Sequence, residues 1–145
     1  MEPLQERKQV TIGGAKIPKD EIVKSTVTNN MGVSIYQVEL KSGVKITYPE
    51  QNGSASIYAG FTEFGHNIAG LTLENMDKAQ VIGSKEKNDN IQLIGTTNST
   101  IDVTNDCDRN NVDTVISDKE SRGNVVMHND KDIMIDESKN LFNDN

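Results

Sequence analysis

From Asn67 onward the chain repeats itself. Leu71-Thr72-Leu73, Ile91-Gln92-Leu93, Val112-Asp113-Thr114-Val115 and Ile133-Met134-Ile135 begin at intervals of 20, 21 and 21 residues, and a period of that size constrains a fold more than any single motif. About half a period along lie Val81-Ile82, Ile101-Asp102-Val103 and Val125-Val126-Met127. Each unit thus offers two short apolar strands separated by polar turns. One set of turns contains Asn75-Met76-Asp77-Lys78 and Thr96-Thr97-Asn98-Ser99, the other Asn88-Asp89-Asn90, Asn105-Asp106-Cys107-Asp108 and Asn129-Asp130-Lys131-Asp132. Asn and Asp suit sharp bends because they tolerate left-handed backbone angles and bond to the local main chain. The expectation is an all-β protein, a small parallel β-solenoid with coils of about 20 residues whose Leu, Ile and Val stack in ladders. An antiparallel β-sandwich or barrel is the alternative, since short strands at about ten-residue spacing fit both.

Upstream of the repeat, Val33-Ser34-Ile35, Tyr36-Gln37-Val38-Glu39-Leu40 and Val44-Lys45-Ile46-Thr47-Tyr48 alternate apolar with polar residues, and Ser42-Gly43 supplies a turn. Residues 33–48 read as one β-hairpin or as two successive solenoid edges. The organisation expected is an N-terminal arm over 1–10, one β domain over 11–135 that is repeat-like from about 71, and a polar tail over 136–145. In that tail, Leu141 and Phe142 are expected to fold back over the open end of the stack.

Charge divides the chain unevenly. The net charge of −7 arises entirely after residue 70: the first part holds seven Lys and Arg against seven Asp and Glu, the second eight against fifteen. No basic stripe exists for a nucleic-acid backbone, so direct nucleic-acid binding is disfavoured. An acidic half points instead to a cation or a basic protein partner. No run approaches the roughly 18 apolar residues of a membrane span, and the first thirty residues lack the order of a secretory signal. A soluble protein is expected, cytoplasmic or secreted without a classical signal peptide. Cys107 is the single cysteine among 145 residues, so neither a disulfide framework nor a cysteine-based zinc cluster is available.

Gly83-Ser84-Lys85-Glu86-Lys87-Asn88-Asp89-Asn90-Ile91 resembles a degenerate turn of the calcium-binding repeats-in-toxin solenoids, in which an Asp shortly precedes an apolar strand residue. The resemblance spans about residues 80–135. The paired glycines and nine-residue period of that family are missing, and the coils here are about twice as long. More broadly the pattern resembles the parallel β-helices of phage tail proteins, adhesins and polysaccharide-acting enzymes, a likeness of fold that carries no function. The abundance of Asn, Lys, Asp and Ile is compatible with a bacterial or phage source.

The strongest constellation is an acidic edge. If the second set of turns stacks at the strand spacing of about 4.8 Å, Asp89, Asp106, Asp108, Asp130 and Asp132 line one side. Such an edge would bind a basic surface on a protein partner, or hold calcium through carboxylate and amide oxygens. Its regular charge also admits a nucleic-acid mimic that occupies a basic groove. Catalysis has thin support: Glu63, His66 and Asp77 are the one acid–base grouping, and Phe61 and Phe64 beside them read as core plugs in a loop. His128 reads as a surface histidine, and the acidic surroundings of Cys107 raise rather than lower a thiol pKa. Gly13-Gly14 lacks the rest of a phosphate loop. The glycosylation patterns Asn52-Gly53-Ser54 and Asn98-Ser99-Thr100 are expected by chance in an Asn-rich chain. The expected function is a non-catalytic protein-binding or assembly module without a cofactor, which binds through its acidic face or self-associates through open ends. A calcium-stabilised secreted module is the competitor.

Overall fold

The computed structural model describes residues 8–50, 53–61, 67–105, 113–129, 133–136 and 139–144. Their strands are β1 (Gln9–Ile12), β2 (Ala15–Pro18), β3 (Ile22–Asn30), β4 (Val33–Leu40), β5 (Lys45–Pro49), β6 (Ser54–Phe61) and β7 (Asn67–Glu74), followed by β8 (Gln80–Ile82), β9 (Asn88–Ile94), β10 (Thr100–Asp102), β11 (Thr114–Ser117), β12 (Arg122–His128), β13 (Ile133–Asp136) and β14 (Lys139–Asp144). A single 3-10 turn, Lys19–Glu21, joins β2 to β3. The strands form two seven-stranded sheets, in the orders β1-β2-β6-β7-β9-β11-β13 and β14-β12-β10-β8-β5-β4-β3.

The all-β expectation is met, but the two sheets are mixed, and a parallel solenoid over 11–135 is not what the chain forms. The two-sheet packing of the sandwich alternative fits instead. Turn chemistry supplies the reason. Gly13-Gly14 (φ 60° and 87°) and Met31-Gly32 (φ 53° and 83°) are two-residue reversals with both central residues left-handed, the geometry that matches the twist of a tight hairpin. They fold β1 on β2 and β3 on β4 antiparallel. Residues 33–49 likewise resolve as the β4–β5 hairpin. From β7 on, each turn carries the chain across to the other sheet, so β7, β9, β11 and β13 pair parallel in one sheet and β8, β10, β12 and β14 in the other.

The alternation seen in the sequence fixes what points inward. In β9, Ile91 and Leu93 are buried while Gln92 between them is exposed; in β5, Ile46 and Tyr48 are buried beside exposed Lys45. Register then stacks like on like. Val38, Ile46, Val81, Ile101 and Val126 form one ladder across five strands, and Leu71, Ile91 and Val115 form another in the facing sheet. All eight are buried in one core. Truncating a central member such as Ile101 to Ala is expected to cost about 2–5 kcal/mol, because the flanking rungs cannot collapse into the space.

The repeat is less regular than expected. Leu71, Ile91, Val115 and Met134 are matched in register, which makes the spacings 20, 24 and 19 residues. The third core position is therefore Val115 rather than Val112, which lies outside the described residues. Residues 139–144 form β14, the outermost strand of the second sheet, with Val126 opposite Phe142.

Candidate functional site

Two surfaces and one buried column are the functional candidates. The first surface is a cleft of about 580 Å³, a size typical of small-ligand sites. Antiparallel pairing of β5 with β8 sets Lys45 opposite Ile82, so the β4–β5 turn lies beside the loop that leaves β8. That turn contributes Lys41, Ser42 and Gly43, the strand after it Lys45, and the loop Ser84, Lys85, Glu86 and Lys87, with Asn105 completing the lining. Lys41, Lys45 and Lys85 are exposed, whereas Ser84 is only 2% exposed. Lys45 lies 3.8 Å from the Glu39 carboxylate. In a chain of net charge −7, the cleft gathers four ammonium groups against the lining carboxylate of Glu86 and the neighbouring Glu39. Chemically it suits an anion; sequence reading missed it, because Lys41 and Lys85 meet only through the β5–β8 pairing.

The buried column lies on the same side of the molecule. Asp89 and Asp113 are 1% and 0% exposed. The Asp89 carboxylate accepts the Ser84 N–H at 2.9 Å, and that of Asp113 accepts the Asp89 N–H at 2.8 Å. Gly83 makes room for this: a Cβ there would collide with the Asp89 carboxylate. Register explains the burial, because Asp89 stands opposite Ala69 on an inward-facing row. Asp89 is therefore not on an exposed acidic edge. Asp106, Asp108, Asp130 and Asp132, the other members expected of that edge, lie outside the described residues, as do Glu63, His66 and Cys107. Among the described residues, no group of three or more His, Cys, Asp or Glu is placed to hold a metal ion.

The opposite corner is polar inside. Ser99 Oγ accepts the Ala79 N–H at 3.1 Å, Asn124 Oδ1 accepts the Ser99 N–H at 2.9 Å, and the Asn124 amide donates to the Thr96 carbonyl at 2.8 Å. Both side chains are buried, and each satisfies backbone groups of a neighbouring turn, as buried polar atoms require. Asp77 belongs to this corner. The Thr97 hydroxyl donates to it at 2.7 Å and the Asn98 amide at 3.0 Å, and these bonds hold its carboxyl below the ordinary range, helped by Lys78. At the end of β12, the His128 ring bonds to the Asn129 carbonyl at 2.9 Å.

The second surface is the edge strand β3. Its residues from Val23 to Asn30 are all exposed, among them Val23 at 63% and Val27 at 58%, with Met31 at the tip 96% exposed. Its one charged residue, Lys24, and its one register shift, between Ile22 and Lys24, both lie near its start, so from Ser25 to Asn30 the strand has neither charge, proline nor shift to blunt a free edge.

Comparison of the chain with protein-family models, curated proteins and solved structures finds no match. Among the described residues no helix is long and apolar enough to cross a membrane.

Proposed function

We propose that the chain is a non-catalytic assembly module that pairs with a second copy of itself through β3. The observation that carries this reading is the nine-residue edge strand with exposed valines, beyond which no strand pairs among the described residues. An edge of this kind offers a row of backbone donors and acceptors for strand addition. Two copies paired antiparallel about Thr26 would set Lys24 opposite Thr28 and Ser25 opposite Val27, with no like charges facing. Burial of Val23 and Val27 would add the apolar term. The alternate-sheet, parallel pairing of β7 to β14 supports a finer reading, in which a short solenoid-type stack forms the rigid body and the β3–β4 hairpin its docking arm.

Sedimentation velocity tests this directly. The wild-type chain is expected to sediment as a concentration-dependent dimer, and the Val23→Lys, Val27→Lys variant as a folded monomer, since exposed substitutions leave the core intact. A wild-type chain that stays monomeric at high micromolar concentration would overturn the reading.

A further inference from the structure

The lysine-lined cleft between the β4–β5 turn and the loop after β8 has a use that self-association does not supply. We infer that it binds a compact oligoanion carrying two or more phosphate or sulfate groups.

Three features carry this. Lys41 and Lys45, from the β4–β5 turn and the start of β5, and Lys85 and Lys87, from the loop after β8, line the same cleft, so an anion there is within reach of ammonium groups from two segments. Lysine is a point charge on a flexible stem and binds phosphate-type oxyanions; among the described residues no arginine, whose planar fork matches carboxylate and phosphate alike, lines the cleft. Two hydroxyls complete the donor set. Ser84 Oγ accepts the Glu86 N–H at 3.3 Å and Ser42 Oγ the Val44 N–H at 3.4 Å. Each acceptor role leaves the hydroxyl proton to point at a ligand oxygen. Gly43, at φ +96°, keeps the floor open: a Cβ there would stand 3.3 Å from Ser84 Oγ. Four lysines line the cleft against one lining carboxylate, Glu86, and several ammonium groups around one opening suit a ligand with more than one anionic group. The cleft volume of about 580 Å³ exceeds a single phosphate and fits a diphosphate or a disulfated sugar.

Isothermal titration calorimetry of the intact chain with pyrophosphate and, separately, with a disulfated disaccharide separates the two sources of such groups. At least one probe is expected to bind with sub-millimolar affinity at about 150 mM salt, more weakly as salt rises. The tighter probe assigns the source. Lys85→Gln with Lys87→Gln, and independently Lys41→Gln with Lys45→Gln, are expected to weaken binding roughly tenfold or more with an unchanged unfolding midpoint. Lys119→Gln, on an exposed turn elsewhere, is expected to change it less than about twofold. Failure of both probes to bind, or an equal loss in the Lys119 variant, overturns the inference. Neither result bears on the β3 dimer, which is read by sedimentation.

Discussion

The backbone N–H of Asp89 donates to the carboxylate of Asp113 at 2.8 Å, linking neighbouring strands β9 and β11 inside the molecule. The two residues are 24 apart in sequence, and both are buried. The bond ties the residue just before β11 to β9. Asp113→Ala would leave a buried amide without its acceptor, which costs about 1–3 kcal/mol. Asp113→Asn retains an acceptor oxygen of the same shape and is expected to lose less. Urea denaturation of the two variants measures this. Equal losses would show that the charge matters and the acceptor does not.

Tyr48 links the sheets at the other end of the core. It is 1% exposed, its ring stacks on Tyr36 at 6.0 Å between centroids, and its hydroxyl donates to the Ile12 carbonyl at 2.6 Å. Burial, with a smaller contribution from Tyr36, pushes the Tyr48 hydroxyl well above its ordinary value. A tyrosine held neutral in the fold but free to ionise when unfolded stabilises the fold fully below pH about 10, and that contribution is lost as pH rises further. Tyr48→Phe is therefore expected to cost about 1 kcal/mol at neutral pH and to flatten the alkaline fall of the unfolding midpoint. An unaltered alkaline slope would place its cause elsewhere.

Gly95 illustrates how the corners stack. Its φ is +56°, and a Cβ would stand 2.5 Å from Asn75 Oδ1 in the turn after β7; Gly123 meets Asn98 in the same way, at 2.8 Å. Gly95→Ala thus combines a left-handed backbone with a clash, and is expected to destabilise by about 1–3 kcal/mol. Removing the Asn75 side chain relieves only the clash. In a double-mutant cycle with Asn75→Ala, the pair is expected to be less destabilised than the sum of the singles. Strict additivity would mean that backbone strain alone penalises Gly95→Ala.

These residues also mark where sequence reading holds and where it stops. Val81 and Ile101 are legible because apolar residues alternate with polar ones between turn residues, and the strands found there pair in register. Val112 misleads because a fixed period cannot register the longer third turn, which moves the core position to Val115. Asp89 reads as an edge residue from its Asn neighbours, yet side chains alternate across a strand, and its register with Ala69 turns it inward. Strand β3 escapes notice because no face of Ile22–Asn30 is buried, so no hydrophobic period marks it. The lysine cleft joins residues about forty positions apart through β5 and β8, and nothing local in either segment announces the meeting.

Acid sensitivity follows from the corner carboxylates. Burial works to raise the Asp118 carboxyl, but hydrogen bonds from the Ser121 hydroxyl and from the Gly95, Ser121 and Glu120 N–H groups outweigh it and hold it below the ordinary range. Asp77 is lowered by its bonds from Thr97 and Asn98. A carboxyl lowered in the fold stabilises it above the unfolded pKa, near 3.9, and that contribution is lost as pH falls through the folded value. Both groups are largely solvated, so screening keeps the effect modest. Asp77→Asn with Asp118→Asn keeps the acceptor oxygens while removing the titration. The variant is expected to melt slightly below the wild type at pH 7, with the gap closing below about pH 3. Thermal scans across that range decide it, and a gap that stays constant into acid would show that these carboxylates do not couple folding to protons.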